Sequence, residues 1–235
     1  MSSAAKMTFK EFLSELSTNK SKRVEGELIK TIFYSILTSF ILLAVLYFIK
    51  LKSIDNFTEK FGLPILLMTL SISLIAATIR QVRAYRDFAC MPGMMIGMTS
   101  GMIGFLPGFY VASTNGMFIG SFFGVAIGIF LGIYNGKCCG IMGIIEGIMA
   151  GFMGGLMGGM TAFMLLNDNL KAASIIVFII SASIMIGLNY MIYIETKETD
   201  RQRQEDHFIT IALTFILIAI TTWLIAFGPR SAIFQ

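Results

Sequence analysis

Sulfur is the most conspicuous chemistry in this chain. Cys90 stands next to Met91, Met94, Met95, Met98 and Met102, and the adjacent pair Cys138 and Cys139 precedes Met142, Met149, Met153, Met157, Met160 and Met164. Thiolates and thioethers are soft ligands, and among the abundant metals they select Cu(I). At 100° per residue, Met142 to Met164 fall within about 80° of one helical face, and Met91 to Met102 within about 100°. A ladder running from Met164 and Met160 down to the cysteine turn would suit a soft cation moving by ligand exchange. The plainer use of the same residues is packing, since Met is flexible and fills irregular gaps between helices. C-x-x-C is absent and His207 is the single histidine, which excludes the usual zinc sites.

Glu146 is the second candidate. Between residues 88 and 166 the only charged side chains are Lys137 and Glu146. Glu146 falls inside the methionine arc, about 9 Å along the helix from Gly140 at 1.5 Å per residue. A carboxylate at that depth faces a cavity, a partner or a proton path. Its structural alternatives are to snorkel to the interface or to hydrogen-bond to Thr99 or Ser100. Other catalytic patterns are missing: there is no G-x-x-x-x-G-K-[ST], no H-E-x-x-H and no G-x-S-x-G. An enzyme is not expected, nor a self-contained ATP-driven pump. The Asn115 and Asn167–Asn169 turns suit either an entry vestibule or ordinary turn chemistry.

These residues need apolar helices to position them. The chain has 235 residues, 56% hydrophobic and 14% charged, with a mean hydropathy of +0.79. A soluble domain averages about 45–50% apolar and about 25% charged. Disorder is excluded as a reading, and a soluble globular domain is not expected. The net charge of +4 sits at the ends and in loops, so it is no nucleic-acid signal. A transmembrane helix needs about 20 mostly apolar residues, and seven spans are expected near 31–49, 62–79, 90–112, 116–136, 140–166, 172–194 and 208–227. The fold class is therefore an all-α polytopic membrane bundle.

Orientation follows from the Lys/Arg bias. With the N-terminus inside, thirteen of the 18 basic residues are cytoplasmic and five are outside. That places the chain in the cell membrane with a cytoplasmic N-terminus, and puts Cys90, Cys138 and Cys139 at the reducing edge, where disulfides are not expected. No signal peptide is recognised before the first span. Thr8 and Glu11 form a capping box ahead of Phe9, Phe12, Leu13 and Leu16, so a short amphipathic helix is expected, lying in the interface or docked on cytoplasmic loops. Residues 1–30 form this cytoplasmic segment and 31–89 two flanking spans. Residues 90–166 form a three-helix core, and 167–235 two further flanking spans with a short outer tail.

Nineteen of the 23 glycines lie between residues 93 and 159. Gly116, Gly120, Gly124, Gly128, Gly132 and Gly136 recur at every fourth position, a small-xxx-small row that lets helix backbones approach closely. Such a row drifts about 40° per step, so the fourth span should meet one neighbour near one end and another near the other. Gly93, Gly97, Gly101, Gly104 and Gly108 recur fifty residues later as Gly143, Gly147, Gly151, Gly154 and Gly158, with Gly155 beside them. The third and fifth spans thus read as a parallel internal repeat. Spans one, two, six and seven read as lipid-facing.

The expected function is a transporter, channel or membrane chaperone for a soft cation such as Cu(I). The alternatives are a non-catalytic assembly subunit packing through its GxxxG rows, and a proton- or cation-coupled channel centred on Glu146. The expected partners are the lipid bilayer and further copies of the chain or other membrane subunits.

Overall fold

The computed structural model describes residues 25–49, 57–85, 94–196 and 207–230. Among them every element is helical: α1 Glu25–Ile49, α2 Phe57–Ala84, α3 Met94–Asn115, α4 Met117–Gly136, a single 3-10 turn Lys137–Cys139, α5 Gly140–Met164, α6 Leu170–Glu195 and α7 His207–Phe227. Six stretches are long and apolar enough to cross a membrane. One of these, Met117–Met164, runs 48 residues, more than twice the roughly 20 needed to cross hydrocarbon. It holds α4 and α5, which fold back on each other at the 3-10 turn. In hydrocarbon the backbone must satisfy its own hydrogen bonds, and uninterrupted apolar sequence therefore forms helix. The protein is thus a multi-pass helical protein suited to a lipid bilayer. The capping-box segment at Thr8 lies outside the described residues.

Local chemistry sets the breaks. Gly116, with φ of 108°, separates α3 from α4, and Gly140, with φ of 73°, opens α5. Both conformations favour glycine, because an L side chain would be strained there. The Asn169 side chain accepts a hydrogen bond from the Ala172 amide at 3.3 Å and caps α6, so in this turn the capping use of asparagine is the one realised. Pro64 is not in a first turn, as the expected span 62–79 implied. It is the eighth residue of α2, which begins at Phe57.

Burial sorts the helices into centre and rim. Within their apolar windows α2 is 67% buried and α3 72%, against 22% for α1, 28% for α6 and 33% for α7. The lipid-facing reading of the second span is therefore corrected: α2 is central, packed against α1, α3, α6 and α7. Met68, Ile72 and Ile75 of α2 meet Ile103, Leu106 and Phe109 of α3 in one apolar core. On its other side α3 carries α4 and α5, and these three form the most closely packed part of the protein.

Candidate functional site

The three-helix unit is assembled on backbone rather than side chains. The N-terminal half of α4 lies on α3, with Gly120 against Ala112 and Gly124 against Gly104 and Gly108. Its C-terminal half lies on α5, with Gly128 against Gly151, Gly132 against Gly147 and Gly136 against Gly143. The change of partner midway is what a four-residue row drifting around a helix produces. A Cβ on Gly128 would stand 2.6 Å from the Gly151 carbonyl oxygen and 2.8 Å from its Cα, so even alanine forces these backbones apart. Gly155 completes the junction against Gly124 and Val125.

Helices α3 and α5 run parallel, Gly101 opposite Gly154 and Phe105 opposite Gly158. Gly104 and Gly108 lie in turn against Gly151 and Gly155, so the contacts fall on either side of a fifty-residue offset. Two glycines do less than their spacing suggests. Gly116 lies outside α4 as its N-cap, and a Cβ on Gly97 would only touch Ala150 at 4.0 Å. Gly93 lies outside the described residues.

Behind this seam, the sulfur face of α5 points outward. Met142, Met149, Met153, Met157, Met160 and Met164 are all exposed, and no described helix covers them. On α3 the sulfurs divide: Met95 is buried, Met98 exposed and Met102 half-buried. Cys90 and Met91 lie outside the described residues, as does the side chain of Met94. The Cys138 thiol is buried and donates to the Asn135 carbonyl oxygen at 3.1 Å. Its Sγ lies 3.5 Å from that of Cys139. Cys139 is disulfide-bonded, which corrects the expectation that this turn carries only reduced thiols. In that state Cys139 offers no thiolate. Among the described residues no group of three or more His, Cys, Asp or Glu side chains is placed to hold a metal.

Glu146 is half-buried on the edge of the same face, and its Oε2 is enclosed without a hydrogen-bond partner. Neither suggested partner takes it. Thr99 donates to the carbonyls of Met95 and Ile96 and accepts from Asn135, while the Ser100 hydroxyl is itself buried and unpartnered.

A polar cluster among α1, α2, α3, α4 and α6 was not singled out from the sequence. Arg80 donates to Thr31 Oγ1 at 2.9 Å, and Gln81 to the Asn189 carbonyl at 3.1 Å. Arg83 donates to the Tyr134 carbonyl at 2.6 Å and stacks 3.9 Å above the Tyr134 ring. Asn135, fully buried, donates to Thr99 Oγ1 at 3.0 Å, and its own Oδ1 has no partner. Arg80, Gln81 and Arg83 are all buried. The signal for it in the sequence is that Thr78, Arg80, Gln81 and Arg83 share the end of one apolar run. Charge buried within a membrane helix bundle is costly and is retained where it is paired.

At the opposite end, Asn115 ties the bundle together. Its Nδ2 donates to the Leu224 carbonyl at 2.8 Å and its Oδ1 accepts from Thr114 at 2.6 Å. A cleft of about 650 Å3 opens beside it, and an apolar groove of about 620 Å3 separates α4 from α7. The fold and these sites define a multi-pass helical membrane protein. No protein-family model, curated protein or solved structure matches the chain.

Proposed function

We propose that the protein is a non-enzymatic, homo-oligomeric membrane protein that handles a soft cation, with Cu(I) as the fitting ion. The observation that carries this reading is the outward row of six methionines on α5, backed by glycines that hold the helix against α3 and α4. A sulfur row facing hydrocarbon does nothing in a single copy; paired with the row of a second copy it becomes a soft-ligand path between subunits. The glycine rows act as the zipper that presents it. In this reading α4 and α5 each cross the membrane, which makes seven crossings, with the N-terminus in the cytoplasm and the chain in the cell membrane. Cys138, with Cys139 once its disulfide is reduced, supplies the inner ligands alongside Met142, and Cys90 joins them.

The test combines metal analysis with self-cross-linking. Purified protein loaded with Cu(I) under reducing conditions should retain copper, and Met153→Cys should cross-link to its own counterpart in the membrane. Copper at background levels would overturn the metal reading. Absence of the self-cross-link, with another membrane protein captured at position 153, would instead favour an assembly subunit.

Glu146 supports a second reading, a proton- or cation-coupled path, because one of its carboxylate oxygens is enclosed without a partner. Flux into liposomes that depends on pH and collapses in Glu146→Gln would establish it.

A further inference from the structure

We infer that the turn between α4 and α5 is a thiol–disulfide exchange site, in which the Cys138 thiol moves the disulfide held by Cys139 and a dithiol is the reductant that empties it. This site rests on the function proposed above only for the side of the membrane on which the turn lies; copper has no part in it.

The turn sets two sulfurs in different oxidation states side by side. Cys138 keeps its thiol, is buried, and donates to the Asn135 carbonyl oxygen. Cys139 is half-buried and disulfide-bonded, and its Sγ lies 3.5 Å from that of Cys138. Exchange begins with the attack of one sulfur on another, and here attacker and target are already in contact. The chain has three cysteines, so within one chain Cys90 is the sulfur left to close the bond to Cys139. The connection is short. Cys139 packs on a cluster that includes Met95 and Ile96 at the start of α3, and Cys90 precedes α3 by four residues, a reach of at most about 14 Å.

The surroundings favour negative charge on the sulfur that is attacked. Cys139 is the N-cap of α5, a helix of 25 residues, and its side chain makes no capping hydrogen bond. Reactive cysteines sit at helix N-termini and beside basic side chains, and Lys137, exposed, opens the same turn. Room for the Cys139 side chain comes from the glycine row, since a Cβ on Gly143 would stand 2.6 Å from the Cys139 Cβ.

The first step needs no added oxidant. Cys138 Sγ attacks Cys139 Sγ, the bond from Cys139 to Cys90 breaks, and its electron pair leaves with the Cys90 sulfur, which takes up the proton that Cys138 gives up. The disulfide then joins Cys138 to Cys139, and the thiol is on Cys90. A dithiol reduces either form: its two sulfurs join to each other, and its two protons end on the two cysteine sulfurs released. Disulfides on the cytoplasmic side are usually transient, with catalytic or redox-sensing roles. A disulfide beside a thiol at the cytoplasmic edge is therefore placed for exchange rather than as a permanent staple.

The experiment uses the full chain purified in detergent without reductant and incubated in mildly alkaline buffer. Thiols are then trapped with N-ethylmaleimide in acidic denaturant, and thiols and disulfides are mapped by mass spectrometry. Two forms should coexist: one with the label on Cys138 and a disulfide from Cys90 to Cys139, the other with the label on Cys90 and a disulfide from Cys138 to Cys139. Dithiothreitol, as the dithiol, should leave all three cysteines labelled. Cys138→Ser retains a hydroxyl to donate to the Asn135 carbonyl, so it should keep its thermal midpoint and the bond from Cys139 to Cys90 while losing the second form. A label confined to Cys138, with the Cys139 disulfide intact, would overturn the exchange, as would a second form that disappears on dilution, which marks a reaction between molecules. A link from Cys139 to the same residue of a second copy, or no disulfide at Cys139 at all, would overturn the pairing. Copper retention is read in separate samples, so the soft-cation reading and this one fail separately.

Discussion

Individual residues divide into those whose direction the sequence reveals and those whose direction it does not. The methionines of α5 share one face by periodicity alone, but periodicity cannot say whether a face looks inward or outward. That depends on the opposite face, and here the glycines claim the interior. Substituting Met149, Met153, Met157 and Met160 together with Leu should therefore cost little stability, because volume-conserving swaps are well tolerated and all four are exposed. Copper retained after Cu(I) loading should fall, while Leu at Met185 and Met191 on α6 should leave it unchanged; equal copper in both proteins would reduce the stripe to surface. Arg83 was legible only as a charge. Its bond to the Tyr134 carbonyl and its stacking on that ring predict that Arg83→Lys is not conservative, since the planar fork serves both contacts. A loss of about 1–3 kcal/mol is expected, read as a lower thermal midpoint in detergent, with Arg83→Ala at least as damaging.

At the scale of elements, hydropathy placed the helices well: the expected spans 116–136 and 140–166 are α4 Met117–Gly136 and α5 Gly140–Met164. The partner change of α4 was legible too, because it follows from a four-residue repeat on a 3.6-residue helix. The central position of α2 was not. Its serines and threonines satisfy themselves along the helix, as in Ser71 to Leu67 and Thr78 to Leu74, so nothing in its average hydropathy sets it apart from a rim helix. The glycine seam yields a sharp comparison. A side chain at Gly128 would run into the Gly151 backbone, whereas a Cβ at Gly187 meets nothing within 4 Å. Gly128→Leu should lower stability by about 1–3 kcal/mol or more through overpacking, and Gly187→Leu should be close to neutral. Equal thermal midpoints for the two variants would remove any special role for the seam.

For the whole molecule, the proposed seven crossings put the two ends of α5 on opposite sides of the membrane. A membrane-impermeant maleimide should label Lys137→Cys from the cytoplasmic face and Asn167→Cys from the outer face; labelling of both from one side would contradict a crossing by α5. The polar cluster adds a constraint of another kind, in time. Arg83 finds the Tyr134 carbonyl 51 residues later in the chain, and Gln81 finds the Asn189 carbonyl 108 residues later. At about 5–20 residues synthesised per second, these partners follow by roughly 3–10 s and 5–20 s. Until then the Arg83 guanidinium and the Gln81 carboxamide lack these two contacts, and the end of α2 can stay near the headgroups, where long basic side chains reach water. The helix that finishes at the centre of the bundle thus enters the membrane among the first and settles among the last. A ribosome that stalls between α4 and α6 would leave the Gln81 carboxamide without its Asn189 contact, in a half-made protein that quality control could recognise.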